Sequence, residues 1–256
     1  MMPVRSQKNR QVVDAARLHR VRERRNRGQT LIEGPHLLQE ALLANVAPLV
    51  VFALESDEPS RDLASRRGID LVLVDGAGLA KVSGTKSPQG PVAVIEIPNP
   101  PSIGAGRIVV AWGVGDPGNV GTMIRTAAGF GWSFGYTAGT ADPWAPKVLR
   151  AGAGAHFRTE VIPIESLGHL VSLGYEPVAT VARGGMAPSD LGDGRYAVLV
   201  GEESSGLPEE VVDGTASRVT IPMPGNVESL NAAVAAAIVM YDLSKYQVPR
   251  TKYGER

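Results

Sequence analysis

The stretch Ile108-Val-Val-Ala-Trp-Gly-Val-Gly-Asp-Pro-Gly-Asn-Val-Gly-Thr-Met-Ile-Arg125-Thr-Ala-Ala128 reads as a strand, a loop and a helix in direct succession. Ile108–Trp112 is an apolar strand, and Val120–Ala128 is a helix. The loop between them holds a formal G-x-G-x-x-G at Gly113, Gly115 and Gly118. That pattern alone would suggest a dinucleotide site and a nicotinamide-dependent oxidoreductase. Pro117 stiffens the loop, however, and no acidic residue follows at the ~20-residue spacing of such sites. The next one is Asp142. The expectation is instead a loop that ends on Asn119 as helix N-cap. Gly121 and Arg125 then stand one turn apart on one helix face, where the glycine clears space beside a guanidinium for a substrate. The plainer alternative is an arginine on a solvated helix.

Working outward, the same alternation recurs. Val178–Val181, Tyr196–Val200 and Val219–Ile221 read as strands, and Leu230–Leu243 as an Ala-rich helix. Short strands separated by helices imply a mostly parallel sheet, whose ligands sit at the carboxyl ends of strands. Two further loops occupy such ends. In Leu199-Val-Gly-Glu-Glu-Ser-Ser-Gly-Leu-Pro208 a buried strand runs into Gly201, Glu202 and Gly206. Glycines there let backbone approach a ligand, and a carboxylate can orient an arginine. In Ile221-Pro-Met-Pro-Gly-Asn-Val-Glu-Ser-Leu-Asn-Ala-Ala-Val234 two prolines rigidify the loop, Ser229 can cap the last helix, and Asn231 places an amide in its first turn. Taken singly, each loop is also an ordinary connector.

Upstream, Ile97–Gly106 reads IPNPPSIGAG and marks a linker. It divides the chain into a part at 1–97, a linker at 98–106, a part at 107–248 and a tail at 249–256. In the first part, Val12, Val13, Ala16 and Leu18 lie in a helix among basic residues. Leu37–Leu43 is a second helix, and Leu49–Leu54, Leu71–Val74 and Val92–Ile97 are strands of an α/β sandwich. Apolar residues are 43% and charged residues 20% of the chain, enough for a real core and too ordered a balance for a disordered tail. The net charge is zero, yet residues 1–30 hold nine Lys and Arg against two acids. A basic head suits a grip on phosphate, a solvated helix face being the alternative. There is no cysteine, and His19, His36, His156 and His169 lack ligand spacing, so no metal site is expected. The N-terminal stretch has no apolar run of a secretory signal, and Ala232–Tyr241 is too short for a bilayer. The expectation is a soluble, cytoplasmic protein.

Together the loops carry a resemblance. N-x-G-x-x-x-R at Asn119, Gly121 and Arg125, G-E-x-x-G-L at Gly201–Leu207, and I-P-M-x-G-x-x-x-S-L-N at Ile221–Asn231 resemble the three motifs of the SpoU (TrmH-like) methyltransferases, in order and at similar spacing. Asp142-Pro-Trp-Ala-Pro-Lys-Val-Leu-Arg150-Ala-Gly-Ala-Gly resembles the family's D-P-x-x-P-K-x-x-R-A-x-x-G stretch. Glu33-Gly-Pro-His-Leu-Leu and Lys81-Val-Ser-Gly-Thr-Lys-Ser-Pro-Gln-Gly resemble the L30e-like substrate-binding domain of many members. The second motif departs from the family's G-N-E-G or G-S-E-G. Either Glu202 or Glu203 can fill its carboxylate position, and placement directly after Gly201 favours Glu202.

The resemblance implies an α/β fold with a C-terminal trefoil knot, a feature almost absent elsewhere, and a homodimer. It implies S-adenosylmethionine as cofactor, touching Gly201, Ile221, Leu230 and Thr180. The implied activity is methylation of a ribose 2′-hydroxyl in RNA, ribosomal (23S) RNA before transfer RNA. Arg125 would act on the 2′-hydroxyl, with Asn119, Glu202, Ser229 and Asn231 orienting it or the ribose. Guanidinium groups hold their protons, so charge stabilisation or a phosphate contact suits Arg125 better than a base. Arg22, Arg24, Arg25, Arg27 and Arg150 are the expected RNA contacts. An inactive RNA-binding protein of the same fold is the alternative.

Overall fold

A computed structural model of the chain describes residues 8–88, 90–98, 106–225 and 229–245. Residues 99–105 of the expected linker and the expected tail at 249–256 lie outside the described residues. In chain order come α1 (Arg10–Ala16), α2 (Val21–Arg27), β1 (Gln29–Glu33), α3 (Pro35–Leu43), β2 (Pro48–Leu54), α4 (Glu58–Arg67), β3 (Leu71–Val74), α5 (Gly76–Ser83) and β4 (Val92–Glu96). There follow β5 (Ile108–Ala111), α6 (Pro117–Phe130), β6 (Ser133–Tyr136), α7 (Pro146–Ala151), β7 (Val161–Pro163), α8 (Leu167–Ser172), β8 (Glu176–Thr180), β9 (Tyr196–Val200), α9 (Glu209–Asp213), β10 (Ser217–Val219) and α10 (Ala232–Ser244). The fold is α/β.

The chain forms two compact units. The first comprises residues 1–99 and 142–158. Its four-stranded sheet runs β1-β4-β2-β3, with β4 antiparallel to β1 and β2, and β2 parallel to β3. Val12, Ala15 and Leu18 recur at three-residue spacing and bury one face of the N-terminal helices in a core with Leu31, Phe52 and Val94. Ala15, rather than Val13 or Ala16, therefore completes the buried face. Strand β1 was not expected, because it ends in a charge. Glu33 is nonetheless buried, since Ser83 Oγ donates to one of its oxygens at 2.8 Å and Arg150 Nη1 to the other at 2.9 Å.

Residues 142–158 follow β6 in the chain but pack within this first unit. Arg24 donates through Nε to Asp142 at 2.9 Å, and Arg158 grips Glu40 with two bonds of 2.7 Å. Thr30 Oγ1 donates to the Trp144 carbonyl at 2.6 Å. In the same segment His156 is buried against Trp144, ring centroids 5.4 Å apart. Burial pushes its pKa down from 6.5 to about 4, the nearby Pro143 backbone opposing weakly. A folded value below the unfolded one means that the unfolded chain takes up the proton first as pH falls. Stability should therefore drop between pH 6.5 and about 4, by about 3 kcal/mol across the window. Urea titrations at the two ends of that window check this: His156→Phe is expected to flatten the loss, and an undiminished loss in the variant would refute the assignment.

The second unit comprises residues 100–141 and 159–256. Its six strands are all parallel, in the order β10-β8-β9-β5-β6-β7. The two central strands, β5 and β9, are buried along their whole length, as their unbroken apolar runs require. The chain steps outward from β5 through β6 to β7, then returns to the far side for β8. The switch point thus falls between β5 and β9, whose carboxyl ends open the crevice where ligands bind in such sheets. Strands β6 and β7 were not expected: β6 reads Ser-Phe-Gly-Tyr, and Gly135 is packed so tightly that a Cβ would stand 2.9 Å from Ile164 and 3.1 Å from Val110. The last strand stops at Val219, before Ile221. Helix α10 packs against α6. Its end is held by Arg107, which lies between the Trp132 and Tyr196 rings and donates to the Leu243 carbonyl at 2.6 Å, and by Trp132 Nε1, which donates to Ser244 at 3.0 Å. Among the described residues no helix is long and apolar enough to cross a membrane, and no group of three or more His, Asp or Glu side chains is placed to hold a metal ion.

Candidate active site

The site is built where β5, β8, β9 and β10 end. Trp112, just past β5, donates its backbone N–H to the Val200 carbonyl at 2.8 Å, so the first two loops leave the sheet side by side. The first loop is staked down at once: Gly113 N donates to Thr137 Oγ1 at 3.0 Å and to Thr140 Oγ1 at 3.1 Å. Asp116, not Asn119, is the N-cap of α6, accepting from Asn119 N at 2.8 Å. Pro117 suits the first helical position, where an N–H has no partner to lose. Asn119 is thereby moved one turn into the helix, and its buried side chain is free for another use.

That use is a polar junction with α10. Asn231, not Ser229, is the N-cap of α10, its Oδ1 accepting from Ala233 N and Val234 N at 3.0 and 3.2 Å. Its Nδ2 donates to Asn119 Oδ1 at 2.8 Å and also to Glu203. Glu203 Oε1 accepts further from Asn119 Nδ2 at 3.1 Å and from Ala232 N at 3.2 Å. A carboxylate at the start of a helix answers the unpaired N–H groups there. So Glu203, the second of the two glutamates that the sequence leaves open, is the one bonded to Asn119 and Asn231. Glu202 turns the other way and accepts from Gly115 N at 2.6 Å.

The reason lies in the loop between β9 and α9. Gly206 N donates to the Glu202 carbonyl at 2.8 Å, folding the loop back on the end of β9. A Cβ on Gly201 would stand 2.2 Å from Gly206 C, so only glycine fits there. The backbone of Gly206 takes the left-handed φ of +68° that closes the turn. The fold-back aims consecutive glutamates at different partners. The pair of glycines was the sequence signal for it.

Beside this junction lies a cavity of about 320 Å³. Thr180, Gly201, Ile221 and Leu230, the four expected cofactor residues, all line it, as do Glu202, Glu203 and Ser229. The sequence reading missed Val181, Val219 and Val239 in its walls. Thr180 spends its hydroxyl on the Leu199 carbonyl at 2.8 Å, so it shapes the wall rather than reaching into the space. The lining fits S-adenosylmethionine: apolar walls suit a flat adenine, and the Glu203 carboxylate beside them suits its cationic groups. Arg125 lies on α6, exposed, with no ion pair or hydrogen bond among the described residues.

The expected RNA contacts divide. Arg22 and Arg25 are exposed on α2 and unpaired among the described residues. Arg24 is not placed to meet RNA as expected: it is 3% exposed and committed to Asp142 and the Leu18 carbonyl, so it supports the fold. Arg27 is clamped to Asp14 by bonds of 2.9 and 3.0 Å, which hold the Asp14 carboxyl below its usual range. Arg150 spends one nitrogen on Glu33.

Residues 106–241 match the SpoU rRNA Methylase family, and residues 9–93 match the MRM3-like substrate binding domain. The chain is 33% identical over 248 residues to the 23S rRNA (guanosine(2553)-2′-O)-methyltransferase RlmP of Bacillus subtilis, covering 95% of this chain and 99% of that protein. Two solved structures share the fold. The AdoMet-bound rRNA methyltransferase of Sinorhizobium meliloti superposes with a TM-score of 0.83 at 24% identity, over 97% of this chain and 99% of that one. The SpoU methyltransferase AviRb of Streptomyces viridochromogenes, in complex with AdoMet, gives 0.85 at 23% identity, over 94% and 98%.

Proposed function

Because this chain belongs to the SpoU rRNA Methylase family, we propose that it transfers a methyl group from S-adenosylmethionine to a ribose 2′-hydroxyl of RNA, with 23S ribosomal RNA the first substrate and transfer RNA the second. The observation that carries this reading is the Asn119–Asn231–Glu203 junction, set between the lined cavity and the helix that presents Arg125. Gly201, Ile221, Leu230 and Thr180 would hold the cofactor with Glu202 and Glu203 nearby. When bound, it supplies a methyl group already activated by its cationic sulfur.

The protein's part is to orient and to stabilise. Arg125 faces solvent with all its donors free of partners among the described residues, and so is available to an RNA phosphate or to the oxygen that gains negative charge as the 2′-hydroxyl loses its proton. Asn119, Asn231 and Glu203 fix α6 and α10 against each other and so fix where Arg125 starts from. Ser229, on the cavity wall, is placed to meet the cofactor or the ribose. We assign residues 1–97 as an L30e-like RNA-binding domain, with Arg22 and Arg25 its phosphate contacts and Arg27 and Arg150 secondary. Residues 107–248 form the methylase domain, with its C-terminal segment in a trefoil knot. A homodimer is supported by the outer face of α6 and α10, where Phe130, Val234, Ile238 and Tyr241 are 37 to 60% exposed around an apolar groove beside Asn119 and Asn231. The protein would act in the cytoplasm.

Mapping 2′-O-methylation across total RNA, with and without this gene, tests the proposal. One ribosomal RNA site should vanish and return only with a chain that keeps Arg125. A lost site in transfer RNA would overturn the substrate assignment, and no lost site would overturn the catalytic one.

A further inference from the structure

We infer that Glu202 is a latch that couples the filling of the cofactor cavity to the position of the helix carrying Arg125. The inference rests on the methyltransferase reading and assigns a positioning role to a residue outside the Asn119–Asn231–Glu203 junction. Four observations carry it. Glu202 Oε2 accepts the Gly115 amide at 2.6 Å, tying the first loop to the second ahead of the α6 cap. Glu202 also lines the cavity, within a loop that its own carbonyl closes by accepting from Gly206 N. The first loop is staked at Gly113 by two threonine hydroxyls and leads directly into the Asp116 cap of α6. Between stake and cap, Gly115 is held by Glu202. Finally, Arg125 touches no other described side chain through a polar bond, so its place is set by the helix beneath it. It lies nine residues beyond the cap, roughly 14 Å along the axis, and a small tilt at the cap is amplified at that reach.

Neighbouring carboxylates thus hold the base of one lever, whose far end carries Arg125. Glu203 fixes the first turn of α6 to α10, and Glu202 fixes the loop before that turn. A cofactor seated against residues 201–206 orders both at once, and ordering shared between two sites is a coupling free energy. The bond, not the charge, does this. Glutamine keeps an acceptor oxygen for Gly115, whereas alanine removes it.

The test compares Glu202→Ala and Glu202→Gln in the full chain. Hydrogen exchange of residues 113–119 is followed with and without S-adenosylhomocysteine, a readout that needs no methyl transfer. The wild type should gain protection there on binding. In Glu202→Ala the Gly115 amide should exchange about tenfold faster and the gain should disappear, while Glu202→Gln should behave as wild type. In methyl-transfer assays the alanine variant should lose about tenfold in kcat with KM for RNA within about twofold, and the glutamine variant should recover it. Unchanged exchange in Glu202→Ala overturns the latch. So does a glutamine variant as impaired as alanine, which would make the carboxylate a charge partner of the cofactor. If the exchange pattern holds but the wild type methylates no RNA, the latch stands and the methyltransferase reading falls.

Discussion

An Arg125→Ala variant should keep its fold and its cofactor affinity while losing about two to three orders of magnitude in methyl transfer. The fold is spared because the side chain is exposed and holds no ion pair among the described residues, so its removal should change stability by less than about 0.5 kcal/mol. Cofactor affinity is spared because Arg125 is absent from the lining of the cavity. What would go, on the mechanism proposed above, is a set of donors for an oxygen that becomes anionic only in the transition state. Arg125→Lys keeps the charge but not the planar fork, and should recover only part of the rate. Single-turnover methylation of the mapped RNA gives the number. Activity within tenfold of wild type would remove Arg125 from the chemistry.

Gly201→Ala should be the most damaging change in the cavity wall. The added Cβ would meet Gly206 C at 2.2 Å, Gly206 O at 2.3 Å and Leu207 N at 2.5 Å, all of them backbone. No rotamer change relieves such a clash, so the loop carrying Glu202 and Glu203 has to move. Overpacking of this kind costs about 1–3 kcal/mol of stability. Misplacing the loop by an ångström can cost about a hundredfold in methyl transfer, with weakened cofactor binding alongside. Gly184→Ala is the control for added bulk, since among the described residues nothing lies within 4 Å of its Cβ position, although its φ of +80° adds a small backbone strain. Calorimetric titration with S-adenosylhomocysteine separates the two variants, and equal affinities would mean that the loop does not shape the cavity.

The parts of the fold that show in the sequence are those whose physics is local. Ile108–Ala111 and Tyr196–Val200 are unbroken apolar runs because both faces of a central parallel strand are covered. Strands β1 and β6 escaped that pattern, because the partners that admit their polar residues come from far along the chain. Glu33 is satisfied by Ser83 and Arg150, and Ser133 by Glu160 at 2.8 Å. The site shows the same divide. Thr180, Gly201, Ile221 and Leu230 all line one cavity. The two caps were each misplaced, by three residues at α6 and by two at α10, because Asp116, Asn119, Ser229 and Asn231 are all capable cappers and only the observed bonds distinguish them. Adjacency to Gly201 does not encode the fold-back on Gly206 that gives Glu202 and Glu203 their different partners. Arg24 was misread for a related reason: its partner, Asp142, is 118 residues away.

The segment 142–158 has a bearing on how this protein could be cut, shuffled or inherited in pieces. It is encoded among the strands of the second unit yet is packed within the first by Arg24–Asp142, Arg150–Glu33 and Arg158–Glu40. Scissors placed at the Pro/Gly-rich stretch would separate covalently what is interlocked by burial. The amino-terminal fragment would keep Arg24 and Glu40 in an interior without their counter-charges, and an ionic group stranded in that way costs several kcal/mol, about 3–5 for a buried pair. Any chimaera that exchanges the first unit must therefore carry both pieces of it, from two separate stretches of the gene.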